Sequence, residues 1–144
     1  MKNGSDSKVY RPDLLSEFYQ RLFEAGVPAG FPSPADDYEE ASLDLNSYMV
    51  ERPAATFFVR AAGDSMVGAG IYSGDLLVVD RSMEPRDKAI VIAAVDGELT
   101  VKRIRVGPGK VRLEPENEEY PVRQIDEQTE FEVWGVVTGV IRKL

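Results

Sequence analysis

Three features of the chain predict a mainly β fold, one highly curved antiparallel domain preceded by a short helical arm. Short apolar runs rich in Val, Ile and Phe recur from Thr56 to Arg142, each bounded by glycine, proline or acidic turn residues. A two-residue Asp96-Gly97 link joins two of these runs in the manner of a tight hairpin. Helical spacing of apolar residues is confined to the stretch before Gly26 and to a few residues after Asp44. At 144 residues and 43% hydrophobic, the chain can bury one core of ordinary size, and short strands with close connections favour antiparallel pairing.

Residues 1–11 are polar and expected to be disordered. From Pro12, the set Leu14, Leu15, Phe18, Leu22 and Phe23 recurs at helical spacing, with Gly26 as a stop. That predicts one amphipathic helix, folded on its own domain or on a partner, and too little chain for a DNA-reading helix-turn-helix. Gly26 to Pro34, GVPAGFPSP, carries three prolines and two glycines and is extended or turning; taken alone it is a linker. Asp36 to Arg52 is acidic and then mildly helical, with Asp44 capping a short helix through Leu45, Tyr48 and Met49 that stops before Pro53. Strands are expected over 56–60, 75–80, 89–95, 98–106, 110–114 and 131–142. Gly107-Pro108-Gly109 and Glu114-Pro115-Glu116-Asn117 mark turns between them, and Glu114 to Glu119 is expected to be a solvated loop rather than a metal site.

Charge and missing residue types exclude much chemistry. Through Ala29 the chain has four basic and four acidic residues, so the net charge of −8 sits entirely on residues 30–144. Such a body repels duplex phosphate, apart from a local strip at Lys102, Arg103 and Arg105. No apolar run approaches the roughly 18 residues of a membrane span and no signal segment opens the chain, which makes a soluble cytoplasmic protein the expectation. There is no histidine and no cysteine, so Ser-His-Asp triads, thiol proteases and imidazole or thiolate zinc sites drop out. Gly63 to Gly68 is followed by Ala69, which breaks the phosphate-loop pattern. Neither a metal nor a cofactor is expected.

One stretch still suggests a displayed nucleophile. In Thr56 to Asp80, TFFVRAAGDSMVGAGIYSGDLLVVD, two apolar runs flank Ser65 within a glycine-rich turn. An ordinary glycine-rich loop has the same appearance. A serine needs a base, and without histidine the remaining nitrogen base is lysine. Its ordinary pKa of about 10.4 must fall by about three pH units, worth about 4 kcal/mol, which burial can supply. The hairpin of Ala89–Val95 and Glu98–Val106 places Lys102 inside a strand, on the face of Thr100 and Ile104 and opposite Leu99, Val101 and Arg103. By pattern alone the commoner reading is a lysine on a solvated strand face, because lysine is seldom fully buried.

The ordered set Gly63-Asp64-Ser65-Met66, Gly70-Ile71, Gly74-Asp75-Leu76-Leu77-Val78-Val79-Asp80, Ile90 to Glu98 and Thr100-Val101-Lys102 resembles the UmuD branch of the LexA-type self-cleaving peptidases. The likeness extends upstream through Ala29 to Ala35, Asp44-Leu45-Asn46 and Pro53-Ala54, and ends at Val133 to Val137. It implies the LexA C-terminal fold, with Ser65 as nucleophile, Lys102 as general base, backbone N–H groups of Ser65 and Asp64 as oxyanion donors, and Ala29-Gly30 as the scissile bond. The chain then divides into a 1–29 arm removed by self-cleavage and a 30–144 core. Ala29 stands where UmuD proteins often carry cysteine, and small size is kept. Arg86 to Ala89 lacks the glycine expected before the hairpin.

The resemblance also implies partners that the residues alone do not. These are a homodimer, a RecA filament on single-stranded DNA as activator in the SOS response to DNA damage, and a UmuC-type Y-family translesion polymerase as client of the trimmed core. The alternative is a non-catalytic polymerase-binding module with a vestigial dyad. A signal peptidase shares Ser-Lys chemistry but needs a membrane anchor, for which the sequence offers no segment.

Overall fold

Runs such as Leu76 to Val79 carry apolar side chains at consecutive positions, so both faces of their strand must be covered. The chain achieves this with one bent sheet. In the computed structural model, which describes residues 9–12, 19–23, 26, 27, 29, 30 and 40–144, the elements in order are β1 (Val9–Tyr10), β2 (Tyr19–Phe23), β3 (Glu40–Asp44), helix α1 (Leu45–Met49), β4 (Thr56–Arg60), β5 (Leu76–Asp80), β6 (Ile90–Val95), β7 (Glu98–Gly107), β8 (Lys110–Glu114), β9 (Arg123–Ile125) and β10 (Phe131–Ile141). Eight strands form one antiparallel sheet in the order β1-β4-β5-β10-β6-β7-β8-β9. The fold is mainly β, as the sequence predicts.

β10 joins the two halves of this sheet. Its first part pairs with β6 and its second with β5, with a register shift in each part. Such bulges bend and twist a strand. Phe57, Val59, Leu77, Val79 and Ile92 gather on one face with Met66 and Ile71, and the other face gathers Val91, Ala93, Ile104, Leu113 and Val136. Neighbours in sequence such as Val91 and Ile92 thus serve different cores, as strand alternation requires. Leu77, Val78, Val79 and Val91 have no exposed surface, and each such side chain contributes about 1.5–3 kcal/mol of burial free energy. Trp134 meets Phe57 edge to face, with centroids 6.3 Å apart.

The expected local signals hold at two places. Asp44 caps α1, its carboxylate accepting from the Ser47 N–H and hydroxyl at 3.3 and 2.8 Å. The β6–β7 hairpin turns at Asp96 and Gly97, both with positive φ (48° and 86°), the signature of a type I′ turn. Among the described residues no helix is long and apolar enough to cross a membrane.

The arm departs from expectation. Tyr19–Phe23 is a strand, paired residue for residue with Glu40–Asp44 in a second, two-stranded sheet. The predicted helix therefore fails at Leu22 and Phe23, and its other apolar positions, Leu14, Leu15 and Phe18, lie outside the described residues. Tyr and Phe suit a strand as well as a helix, and a hydrogen-bonding partner distant in sequence decides between them. Val9 and Tyr10, expected in a disordered tail, instead pair with Val59 and Phe58 at the edge of β4. Residues 1–8 lie outside the described residues.

The missing glycine before the hairpin also has a structural consequence. Lys88 takes φ +76°, a left-handed conformation that costs an L-residue about 1–2 kcal/mol. It is held there because its N–H donates to the Ile104 carbonyl at 2.8 Å, while Arg103 Nη1 donates to the Lys88 carbonyl at 2.7 Å. Lys88→Gly should raise stability by about 0.5–1 kcal/mol, after allowing for glycine's extra freedom in the unfolded chain. Urea unfolding checks this; an unchanged or lower midpoint would show that the lysine is not strained.

Candidate active site

Ser65 stands on the connection between β4 and β5. Ala61 and Asp75 close its base, with Ala61 N–H donating to Asp75 O and Gly74 N–H to Ala61 O, both at 2.8 Å. Inside that closure, Met66 and Ile71 are buried in the core on the far side of Ser65, while Asp64 is exposed and Ser65 half-buried. Two apolar anchors so close to a partly solvated serine leave its turn little freedom. After Ser65 a short 3-10 turn, Val67–Ala69, is followed by Gly70, whose carbonyl accepts from Arg142 Nη2 at 2.7 Å. Arg142 also grips buried Asp75 at 2.6 Å through both Nε and Nη2, and its guanidinium lies 4.6 Å from the Tyr72 ring centroid. That pairing holds the Asp75 carboxyl below the usual carboxylate range, the Arg142 hydrogen bond being the chief cause.

Lys102 reaches Ser65 from β7. The register pairs Lys102 with Val91 and Thr100 with Ala93, so both side chains leave the sheet on one side, as alternation predicts. Lys102 Nζ lies 3.2 Å from Ser65 Oγ, 2.7 Å from Thr100 Oγ1 and 3.1 Å from the Val101 carbonyl. The reading of a freely solvated lysine is therefore set aside by geometry. Burial pushes the Lys102 amine below its ordinary value, and no carboxylate among the described residues pairs with it to oppose that.

These contacts suit a proton acceptor. A neutral amine has two N–H donors and one lone pair, and Thr100 Oγ1 and the Val101 carbonyl can occupy the two donors. The lone pair is then left for the Ser65 hydroxyl. Val59, Ala61, Ala62, Leu77, Leu99 and Val101 line an open cleft beside the pair. Arg60, Ile92 and Thr100 also line it, so its walls are mixed in size and polarity. Among the described residues no acceptor takes the backbone N–H of Asp64 or of Ser65.

Ala29 and Gly30 are elsewhere. Both are exposed in a bend, and no hydrogen bond joins them to Ser65 or Lys102. Sequence reasoning brought together Ser65 and Lys102 but missed Thr100 as a partner of the amine, although the two share a strand face. It also took Glu114 to Glu119 for a solvated loop, which holds only for Glu118 and Glu119; Glu114, Glu116 and Asn117 are half-buried. Glu116 and Asn117 lie against the Ser65 turn.

Residues 21–138 match the family described as "Peptidase S24-like". Protein SamA of Salmonella typhimurium (strain LT2) is 53% identical over 122 residues, which are 85% of this chain and 84% of SamA. Protein ImpA of Escherichia coli is 50% identical over 132 residues, 92% of this chain and 90% of ImpA. Protein MucA of Escherichia coli is 47% identical over 113 residues, 78% and 77% of the two chains.

Proposed function

The chain belongs to the S24-like peptidases, and on that premise we propose that it is a self-cleaving serine endopeptidase that cuts its own Ala29-Gly30 bond with Ser65 and Lys102. The observation that carries this reading is the 3.2 Å approach of a partly buried lysine amine to the serine hydroxyl. Neutral Lys102 takes the Ser65 proton as Oγ attacks the Ala29 carbonyl carbon. The resulting oxyanion is stabilised by the N–H groups of Ser65 and Asp64. The Lys102 ammonium then protonates the Gly30 nitrogen, which leaves as the new N-terminus of a 30–144 core. Lys102 next deprotonates water, which attacks the Ser65 ester of Ala29; the ammonium returns that proton to Ser65 Oγ as it leaves, freeing residues 1–29.

Exposure of Ala29 and Gly30 makes docking a separate step. The scissile strand must enter the cleft beside Lys102, and its arrival removes water from the amine. A partner that favours the docked state therefore raises the rate by shifting a population. The family resemblance supplies identities for the proposal: a RecA filament on single-stranded DNA as that partner, a homodimer as the unit, and a UmuC-type translesion polymerase as client of the trimmed dimer in SOS mutagenesis.

Intact mass after incubation at pH 10 is the test. Wild type should yield the 30–144 fragment while Ser65→Ala stays whole. If both stay whole even with a RecA filament, ATP and single-stranded DNA, the protein is a binding module and not a peptidase.

A further inference from the structure

Ser65 is held from outside its own turn. The β8–β9 connection lies against it, and four contacts join the two. Glu116 N–H donates to the Ser65 carbonyl and Gly68 N–H to the Glu116 carbonyl, both at 2.8 Å. Asn117 Nδ2 donates to the Asp64 carbonyl at 2.9 Å, and the Tyr120 hydroxyl donates to the Asp64 carboxylate. The backbones approach so closely that a Cβ on Gly68 would stand 2.6 Å from the Glu116 oxygen.

The same connection is fastened to the strand that carries Lys102. Arg103, its neighbour in sequence, donates through Nε to Glu116 Oε2 at 2.9 Å, and β8 pairs with β7 where Arg103 faces Glu114. Asn117 in turn is fixed by its own loop, its Oδ1 accepting from Glu119 N–H at 3.0 Å and its carbonyl from Tyr120 N–H at 3.1 Å. Because Oδ1 is the acceptor for Glu119, the amide nitrogen must face Asp64.

We infer that Asn117 is a positioning residue for the oxyanion donor of Ser65, acting through the Asp64 carbonyl. In a trans peptide the C=O and N–H of one plane point in opposite directions. The Asp64 carbonyl shares its plane with the Ser65 N–H, so anchoring the carbonyl on Asn117 aims that N–H the other way, as a free donor. The Glu116 contact to the Ser65 carbonyl fixes the next plane, and the orientation of Ser65 between the two is set. Tyr120 braces the Asp64 side chain, and its hydrogen bond to Asp64 raises its pKa, which keeps the donor proton in alkaline solution. Asn117 touches no reacting atom.

The inference rests on Ser65 being the nucleophile, and the test separates the two. Wild type, Asn117→Ala and Asn117→Asp are compared by self-cleavage rate across pH 7–10 and by phosphonylation of Ser65 with a small alkyl fluorophosphonate, a probe that needs no docked strand. Asn117→Asp keeps the acceptor for Glu119 and hence the turn, but has no donor for the Asp64 carbonyl. Both variants should lose about tenfold to a hundredfold in cleavage rate and in labelling. In Asn117→Ala the midpoint of the pH–rate rise should stay in place, because Lys102 keeps its contacts. An Asn117→Asp protein within twofold of wild type, normal labelling in both variants, or a displaced midpoint in Asn117→Ala would each overturn the inference. Absence of cleavage in wild type itself would instead sink the peptidase reading, and this inference with it.

Discussion

Replacing Lys102 with methionine is expected to stop self-cleavage and, at neutral pH, to make the protein harder to unfold. The first effect follows from chemistry. General-base assistance is worth about 10²–10⁴-fold, and among the described residues no other base is hydrogen-bonded to Ser65 Oγ, so a loss of about 10³-fold is expected. The second follows from burial, which lowers the Lys102 pKa in the fold below its unfolded value. The unfolded chain then binds the proton more tightly, and the resulting penalty on the fold is full below the folded pKa and fades as pH rises to about 10.4. Methionine keeps the length and flexibility of the side chain without the charge. Water in the open cleft can serve Ser65 and Thr100 in place of the amine.

Thermal unfolding of Lys102→Met across pH 6–10 reads this directly. Its melting temperature should exceed that of wild type at the acid end, with the gap closing toward pH 10. Wild-type cleavage should rise over the same range, as deprotonation supplies the base. A variant less stable than wild type at every pH would mean that the amine is a stabilising partner for Thr100 and Val101, and the idea of a base maintained at the expense of stability would fall.

Much of this site was legible in the sequence because its signals are local. Ser65 lies between two apolar runs, Lys102 interrupts a third, and Asp96-Gly97 dictates the hairpin that sets its register. Six of the seven strands from Thr56 onward follow apolar runs and turn residues closely. What escaped depended on partners distant in sequence. Tyr19–Phe23 reads as part of a helix until Glu40–Asp44 is beside it, and Arg123–Ile125, with two polar residues in three, has too short a pattern to register. Asn117 looked like a turn residue because only the β7–β8 hairpin brings it to Asp64. Lys88 shows the converse, a local rule for glycine overridden by backbone hydrogen bonds to β7.

Arg142 directly follows β10, and its replacement is expected to be the most destabilising of the substitutions considered. Asp75 is 1% exposed, and Arg142 supplies its only cationic partner among the ion pairs of the described residues. Arg142→Met strands that carboxylate, and removing one partner of a buried pair costs about 3–5 kcal/mol; because Arg142 itself is partly solvated, about 3 kcal/mol is expected. In a domain of this size that lowers the melting temperature by about 10 °C. The pH dependence carries the signature. In wild type the lowered Asp75 pKa contributes stability that is present above about pH 4 and lost as pH falls through the folded value. In the variant the stranded carboxyl has a raised pKa, so acid neutralises it and relieves the strain. The stability gap should therefore narrow below about pH 5, and Asp75→Asn in the same chain should recover most of the loss. Urea unfolding of the single and double variants at pH 4 and pH 7 settles it, a constant gap at both pH values being the outcome that would refute the pairing. Because Arg142 also holds the Gly70 carbonyl, the single variant loosens the far end of the turn that presents Ser65. Self-cleavage should slow in proportion to that local opening, before the protein as a whole unfolds.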